Sequence, residues 1–270
     1  RTVAECLQWL SFMATYRGQV EETARFARES ADIYRAIGAQ AELGYSLTML
    51  AGSFMLRGQF AEARPRVLEA VQAFDEIGLR HAHSAMPRSW LAMIAWFSGD
   101  YEQARQRAES ALAMARETDW KRGVAICHLI LGCITLVEGA PEQALELLGK
   151  SAASCQAIRE IDDYAWALAC MGYAECALGR PAQAREHLLE ALRLGTELGI
   201  MVPLAMALPG IALLWASSGQ AERSVELYAL ASSMPMVGNS PWVEGVAGRH
   251  VAAAAATLPP DVVAAAQARG

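Results

Sequence analysis

Apolar and small residues recur along this chain with two interlocked periods. Within a segment they return every three or four residues, as on one face of an α-helix; between segments the register returns after about forty residues. Around Gly179, Met171 and Gly172 set a large residue directly before a small one, and Ala184, Leu188 and Ala191 follow at steps of four and three. Equivalent positions surround Gly18, Gly58, Gly99, Gly139 and Gly219, so the glycines form a ladder with spacings of 40, 41, 40, 40 and 40 residues. Each trio after a glycine lies on one stripe of a helix. Each large-small pair before it admits a second helix closely. The expected unit is therefore helix A, a tight turn at the glycine, and helix B.

Six such units cover residues 1–232, divided at about 1–38, 39–78, 79–119, 120–160, 161–199 and 200–232. The ladder glycine supplies the left-handed conformation that ends helix A. Pro141 and Pro181, two residues later, suit the first turn of helix B, where a missing N–H costs nothing. Between units the chain turns near Gly38, Gly78, Asp119 and Gly199, and at residues 159–163 it turns with no glycine. Pro209 lies deep enough in its helix A to predict a kink. After Ser232 the pattern stops. A loop through Met234 and Pro241, a helix from Trp242 to about Ala256 and a short helix after Pro260 make residues 233–270 a C-terminal cap for the last repeat.

Composition narrows the function. With 54% hydrophobic and 19% charged residues the chain is too apolar for disorder. Its net charge of −6, with Lys and Arg scattered, argues against a nucleic-acid-binding face. No apolar run approaches a membrane span and no signal-type leader is present, so a cytoplasmic location is expected. The start at Arg1, already inside a helical pattern, reads as a piece of a longer protein. All six cysteines fall inside expected helices, as reduced core fillers.

Candidate chemistry is sparse. Residues 144–151, ending in Gly149, Lys150 and Ser151, fit a loose P-loop, but they continue a helix B, where no backbone N–H is available to phosphate. His81 and His83 flank a turn with no further ligands nearby in sequence, so no metal is expected. Glu175 is the one charge four residues before a ladder glycine, placed either for a ligand or for an Arg of a neighbouring unit. No catalytic residues and no cofactor are expected.

The large-small pair, the ladder glycine and the small residues five and twelve places after it resemble the tetratricopeptide repeat over residues 1 to about 232, with a period of 40 instead of 34. The expected fold is accordingly an all-α, right-handed, tetratricopeptide-like superhelical solenoid of about six helix-turn-helix repeats with a C-terminal helical cap. The joints SGDYEQA and GAPEQALELL, the stretch SSGQAERSVELYALA and the tail AAAQARG are similar to the C-terminal sensor region of MalT-like and LuxR-type bacterial signal-transduction ATPases. That resemblance implies a ligand-sensing module fused to a nucleotide-binding switch domain, with no nucleic-acid or membrane contact of its own.

In tetratricopeptide repeats helix A lines the concave side, and the ligand-facing positions transfer here to Phe12, Tyr16, Tyr45, Met55, Met93, Trp96, Phe97, Cys133, Leu136, Trp166, Tyr173 and Leu213. The stripe holds no Lys or Arg, so it suits an apolar peptide, helix or small-molecule inducer. Two readings stay open: an open groove, favoured where polar and aromatic residues mix in units one to three, or side chains that pack on one another. An alternative function is a structural scaffold or oligomerisation module.

Overall fold

The structure, a computed structural model, describes residues 1–16, 18–78 and 81–270; the side chains of Tyr16, Ala82 and His83 lie outside the described residues. Among the described residues twelve helices form six A–B pairs. They are α1 (Thr2–Tyr16) with α2 (Val20–Ala36), α3 (Gln40–Leu56) with α4 (Phe60–Glu76), and α5 (Ala82–Phe97) with α6 (Tyr101–Glu117). The stack continues with α7 (Lys121–Val137) and α8 (Pro141–Ile158), α9 (Ile161–Ala177) and α10 (Pro181–Leu198), and α11 (Met201–Ser217) and α12 (Ala221–Ser232). No strand occurs among the described residues.

The turns follow the backbone chemistry that their residues permit. All six ladder glycines have positive φ, as do Gly38, Gly78 and Gly199 between pairs. Where no glycine stands between pairs, Asp119 (φ 50°) and Arg159 (φ 60°) accept the left-handed conformation instead. Pro209 lies inside α11 without ending it.

Within a pair, the small residue of helix A sets the distance. A Cβ at Gly172 would come within 2.5 Å of Leu188, and one at Gly132 within 2.7 Å of Leu148. Both leucines are fully buried. The P-loop-like stretch lies inside α8, where Lys150 donates to Glu146 at 2.6 Å. Glu175 is buried, and its carboxylate lies 2.9 Å from Nδ1 of His187 in helix B of its own pair. The arginine expected from a neighbouring unit is not its partner.

The last forty residues do more than cover the final pair. After Ser232 the chain doubles back through α13 (Pro235–Gly238) and α14 (Pro241–Val243), then runs through a π-helical turn (Glu244–Gly248) into α15 (Arg249–Ala255) and ends with α16 (Pro260–Arg269). Val251 and Ala266 pack with Val225 and Ala212 and so cover α12 and α11. Residues 234–247 also run back across the stack, from α11 and α12 to α5 and α3. We call this stretch the strap.

Two ladder glycines, Gly58 and Gly99, thereby serve a second purpose, since the strap passes close to both at Pro235 and Pro241. A Cβ at Gly58 would meet the carbonyl oxygen of Pro235 at 2.2 Å, whereas one at Gly179 would meet nothing within 4 Å, although φ is nearly the same at both (64° and 67°). Gly179→Ala is expected to cost about 1 kcal/mol from backbone strain alone, and Gly58→Ala at least twice that, because the strap must also shift. Urea unfolding of the two variants measures the difference.

His128 supplies a pH prediction. Burial, reinforced by Arg116 and Lys150, holds its imidazole below the usual value of 6.5. The unfolded chain therefore takes up this proton first. Stability from this group is complete above about pH 6.5 and falls as pH drops toward the lower folded-state value. His128→Leu is expected to flatten that part of the pH profile, read from thermal midpoints between pH 7 and 5.

Candidate binding chamber on the helix A face

Helix A of the second to sixth pairs presents apolar positions toward the strap, and much of that face is already occupied. Three strap side chains donate hydrogen bonds to backbone carbonyls of three successive units. Asn239 reaches Gly58 at 3.5 Å, Ser240 reaches Phe97 at 3.3 Å, and the Trp242 indole reaches Cys133 at 3.0 Å. Trp242 is fully buried, edge-on to Trp96 (5.0 Å between centroids) and to Tyr173 (5.4 Å). The Tyr173 hydroxyl donates to the Met206 carbonyl at 2.7 Å, and burial pushes its pKa well up.

The residues expected to line a groove thus separate into groups. Trp96, Cys133 and Tyr173 are packed beneath Trp242 and present no open surface. Leu136 and Leu213 are buried in the same continuous core. Tyr45 leans edge-on against Phe74 of its own pair, with centroids 5.5 Å apart. Phe12 is 40% exposed beside Trp9. The side chain of Tyr16 lies outside the described residues. The remaining four, Met55, Met93, Phe97 and Trp166, come together around an open space.

That space is a chamber of about 290 Å³ reaching across the stack. Thr15, Gly18 and Thr23 bound it at the first turn, Met49 and Met55 in α3, and Trp90, Met93 and Phe97 in α5. Ile126, Trp166 and Val202 continue the wall through the later A helices, and Met236 of the strap closes one side. Gly52 makes room for it: a Cβ there would lie 2.9 Å from the Trp90 ring. Besides the hydroxyls of Thr15, Thr23 and Ser53, one charged pair interrupts the apolar wall. Arg122 donates through Nε to the buried Asp163 carboxylate at 2.6 Å, and both residues line the chamber. Trp166, stacked on Trp96 at 5.9 Å, keeps a buried indole N–H with no partner among the described residues.

A wider depression of about 400 Å³ between α2 and α4 is lined mainly by charged residues. There Arg35 pairs with Asp32 and Glu69, each at 2.7 Å, in contact with solvent. Among the described residues no group of three or more His, Cys, Asp or Glu side chains is placed to hold a metal, and no helix is long and apolar enough to cross a membrane.

The tetratricopeptide repeat family matches residues 42–117, the second and third helix pairs. Together with the stack of A–B pairs, this match decides the architecture. The fold is a tetratricopeptide-type solenoid. Among solved structures, such solenoids align over nearly the whole chain. A Rap protein complexed with competence and sporulation factor is similar at a TM-score of 0.68 and 13% identity, covering 98% of this chain and 76% of that one. The apo form of RapI aligns at 0.59 and 12% identity, covering 94% and 97%. BtubC from P. vanneervenii aligns at 0.54 and 18% identity, covering 89% and 94%. At these identities the likeness is one of fold. A search of the curated proteins found no significant match. Solenoids of this type are typically non-catalytic interaction modules.

Arg122, Asp163, Trp90 and Met236 were not legible as site residues. Arg122 and Asp163 fall near the start of their A helices, outside the ligand-facing positions that the repeat pattern supplies. Met236 reaches the chamber only because the strap folds back. Trp242→Ala is expected to lower stability by about 3–5 kcal/mol, as for a large buried aromatic. Denaturant unfolding measures the loss, and hydrogen exchange should localise it to residues 234–247.

Proposed function

We propose that this chain is a non-catalytic sensor module that takes an apolar small molecule, or the apolar end of a peptide, in the chamber around Met55, Met93, Phe97 and Trp166. The observation that supports this most directly is the chamber itself: an apolar, Met- and aromatic-lined space of about 290 Å³ left open in a face that the strap otherwise fills. Small-molecule sites are typically concave, mostly apolar and equipped with a few polar groups. Met side chains adapt to differently shaped ligands. The Arg122–Asp163 pair offers charge for orientation, and the indole N–H of Trp166 suits a ligand carrying one acceptor. The strap lies where a partner helix would run across units two to four, so the reading favours a compact ligand over a helix.

The wider context of this proposal is a bacterial regulator acting in the cytoplasm, with a nucleotide-binding switch domain fused to the repeats. It is supported by the similarity of the repeat joints to MalT-like and LuxR-type sensor regions. The structural likeness to a Rap protein complexed with competence and sporulation factor is compatible with ligand binding by such a stack.

The reporter anilinonaphthalene sulfonate tests the site. It is expected to bind saturably at one site per chain and to raise the unfolding midpoint. Met93→Trp, which fills the chamber, should weaken that binding about tenfold or more while leaving the helical spectrum intact. Binding that is non-saturable, or unchanged in Met93→Trp, places no ligand in this chamber and overturns the proposal.

A further inference from the structure

The chamber between the A helices and the strap is electrically lopsided, and this bears on what it can hold. Among the described residues its charged lining consists of Arg122 and Asp163. Asp163 stands in the first turn of α9 with its side chain only 10% exposed. Its Oδ2 accepts from Arg122 Nε at 2.6 Å, whereas Oδ1 has no hydrogen-bond partner among the described residues. A carboxylate so far withdrawn from water has spare capacity for one more donor.

Arg122 is itself crowded by acid. Its Nη1 lies 3.7 Å from Glu160, and Asp162 is a further carboxylate acting on the same guanidinium. Burial first, and the charge of Asp163 next, hold the Asp162 carboxyl above its usual value. The second cause is the mark of a negative potential at this edge of the chamber. The free amides in the first turn of α9 offset about half an elementary charge, and Arg122 offsets one. Glu160, Asp162 and Asp163 together outweigh both. Beyond the carboxylate the wall is aromatic, with Trp90, Phe97 and Trp166 lining the same space, and a ring face attracts a cation. An anion buried here would lose its hydration and meet a guanidinium whose Nε is already committed to Asp163.

We infer that the ligand of the chamber is a cationic amphiphile, an organic ammonium compound whose N–H donates to Asp163 while its apolar body lies among Met55, Met93, Phe97 and Trp166. This inference rests on the chamber reading given under the proposed function. Arg122 keeps Asp163 ionised and oriented while the chamber is empty, and the ammonium group supplies the donor that Oδ1 lacks. A charge taken out of water is tolerated only with such a partner. A carboxylate or sulfonate gains from its apolar part alone and keeps its charged end toward solvent.

Three probes of nearly one shape and different charge test the assignment: para-tert-butylbenzylamine, protonated at neutral pH, para-tert-butylbenzyl alcohol and para-tert-butylbenzoate. In calorimetric titrations of the full chain the amine is expected to bind at least about tenfold more tightly than the alcohol, as for a hydrogen bond to a charged group. The benzoate is expected to bind more weakly than both. Asp163→Asn preserves size and acceptor but removes the charge, and it should bring the amine to the level of the alcohol while leaving the alcohol unchanged. Glu160→Gln, at a partly exposed site, needs no buried replacement and should weaken the amine by a smaller factor without affecting the alcohol. Equal binding of amine and alcohol, or tighter binding of the benzoate, overturns the charge assignment and leaves the chamber as a binding site. No binding by any of the three, or binding unchanged in Met93→Trp, removes the chamber reading and this inference with it.

Discussion

In every helix pair a small residue of helix A is buried seven places before the ladder glycine, and where the contact is tightest a helix B side chain approaches it closely. Gly172 with Leu188 and Gly132 with Leu148 show the limit, where even one added carbon would lie inside van der Waals contact. Interiors are packed so densely that such a contact fixes the interhelical distance. That distance, repeated six times, aligns the A helices side by side and creates the common face on which the strap and the chamber depend. Local contacts of this kind make the stack quasi-one-dimensional, each pair stabilised by its immediate neighbours.

The strap breaks that one-dimensional rule. By carrying Trp242 back to Trp96 and the Cys133 carbonyl, it links residues more than a hundred positions apart. Its three side-chain donors are each satisfied by a backbone carbonyl near the end of a different A helix, in units two, three and four. Buried polar groups are mostly paired, so the bonds of the buried Ser240 and Trp242 define the register of the strap on the stack. Because Met236 belongs to the same segment and closes the chamber, anything bound there touches the element that ties the C-terminal region to the early repeats. Occupancy of the chamber and the seating of the strap are therefore physically adjacent.

The chamber owes its shape to residues that are small as much as to those that are large. Gly52 lets the Trp90 ring pass, and the walls are then completed by Met and aromatic groups from α3, α5, α9 and the strap, with Ile126 and Val202 from α7 and α11. The buried Asp163 is stabilised by Arg122 from the preceding pair, which leaves a charged pair at the edge of an apolar space. With the Asp163 carboxylate buried and the Arg122 side chain 42% exposed, the pair gives orientation more readily than affinity, since desolvation of the carboxylate and solvent at the guanidinium offset much of the attraction.

The repeat architecture was fully legible in the sequence. Helix periodicity, the glycine ladder and the proline after the turn are local signals, and the contacts they specify are between neighbours in the chain. The turn at Arg159 without a glycine was legible too, because its place in the register demanded a turn whatever the residue. Four chamber residues, Met55, Met93, Phe97 and Trp166, could be named from repeat position alone, since that position determines which way a helix A side chain points. What the sequence could not decide was whether those side chains meet solvent, a ligand or each other. Trp96, Cys133 and Tyr173 occupy equally ligand-facing positions, yet Trp242 covers them. Only the tertiary structure brings residues 234–247 onto that face, because their placement rests on long-range burial and a few hydrogen bonds that leave no periodic trace in the chain.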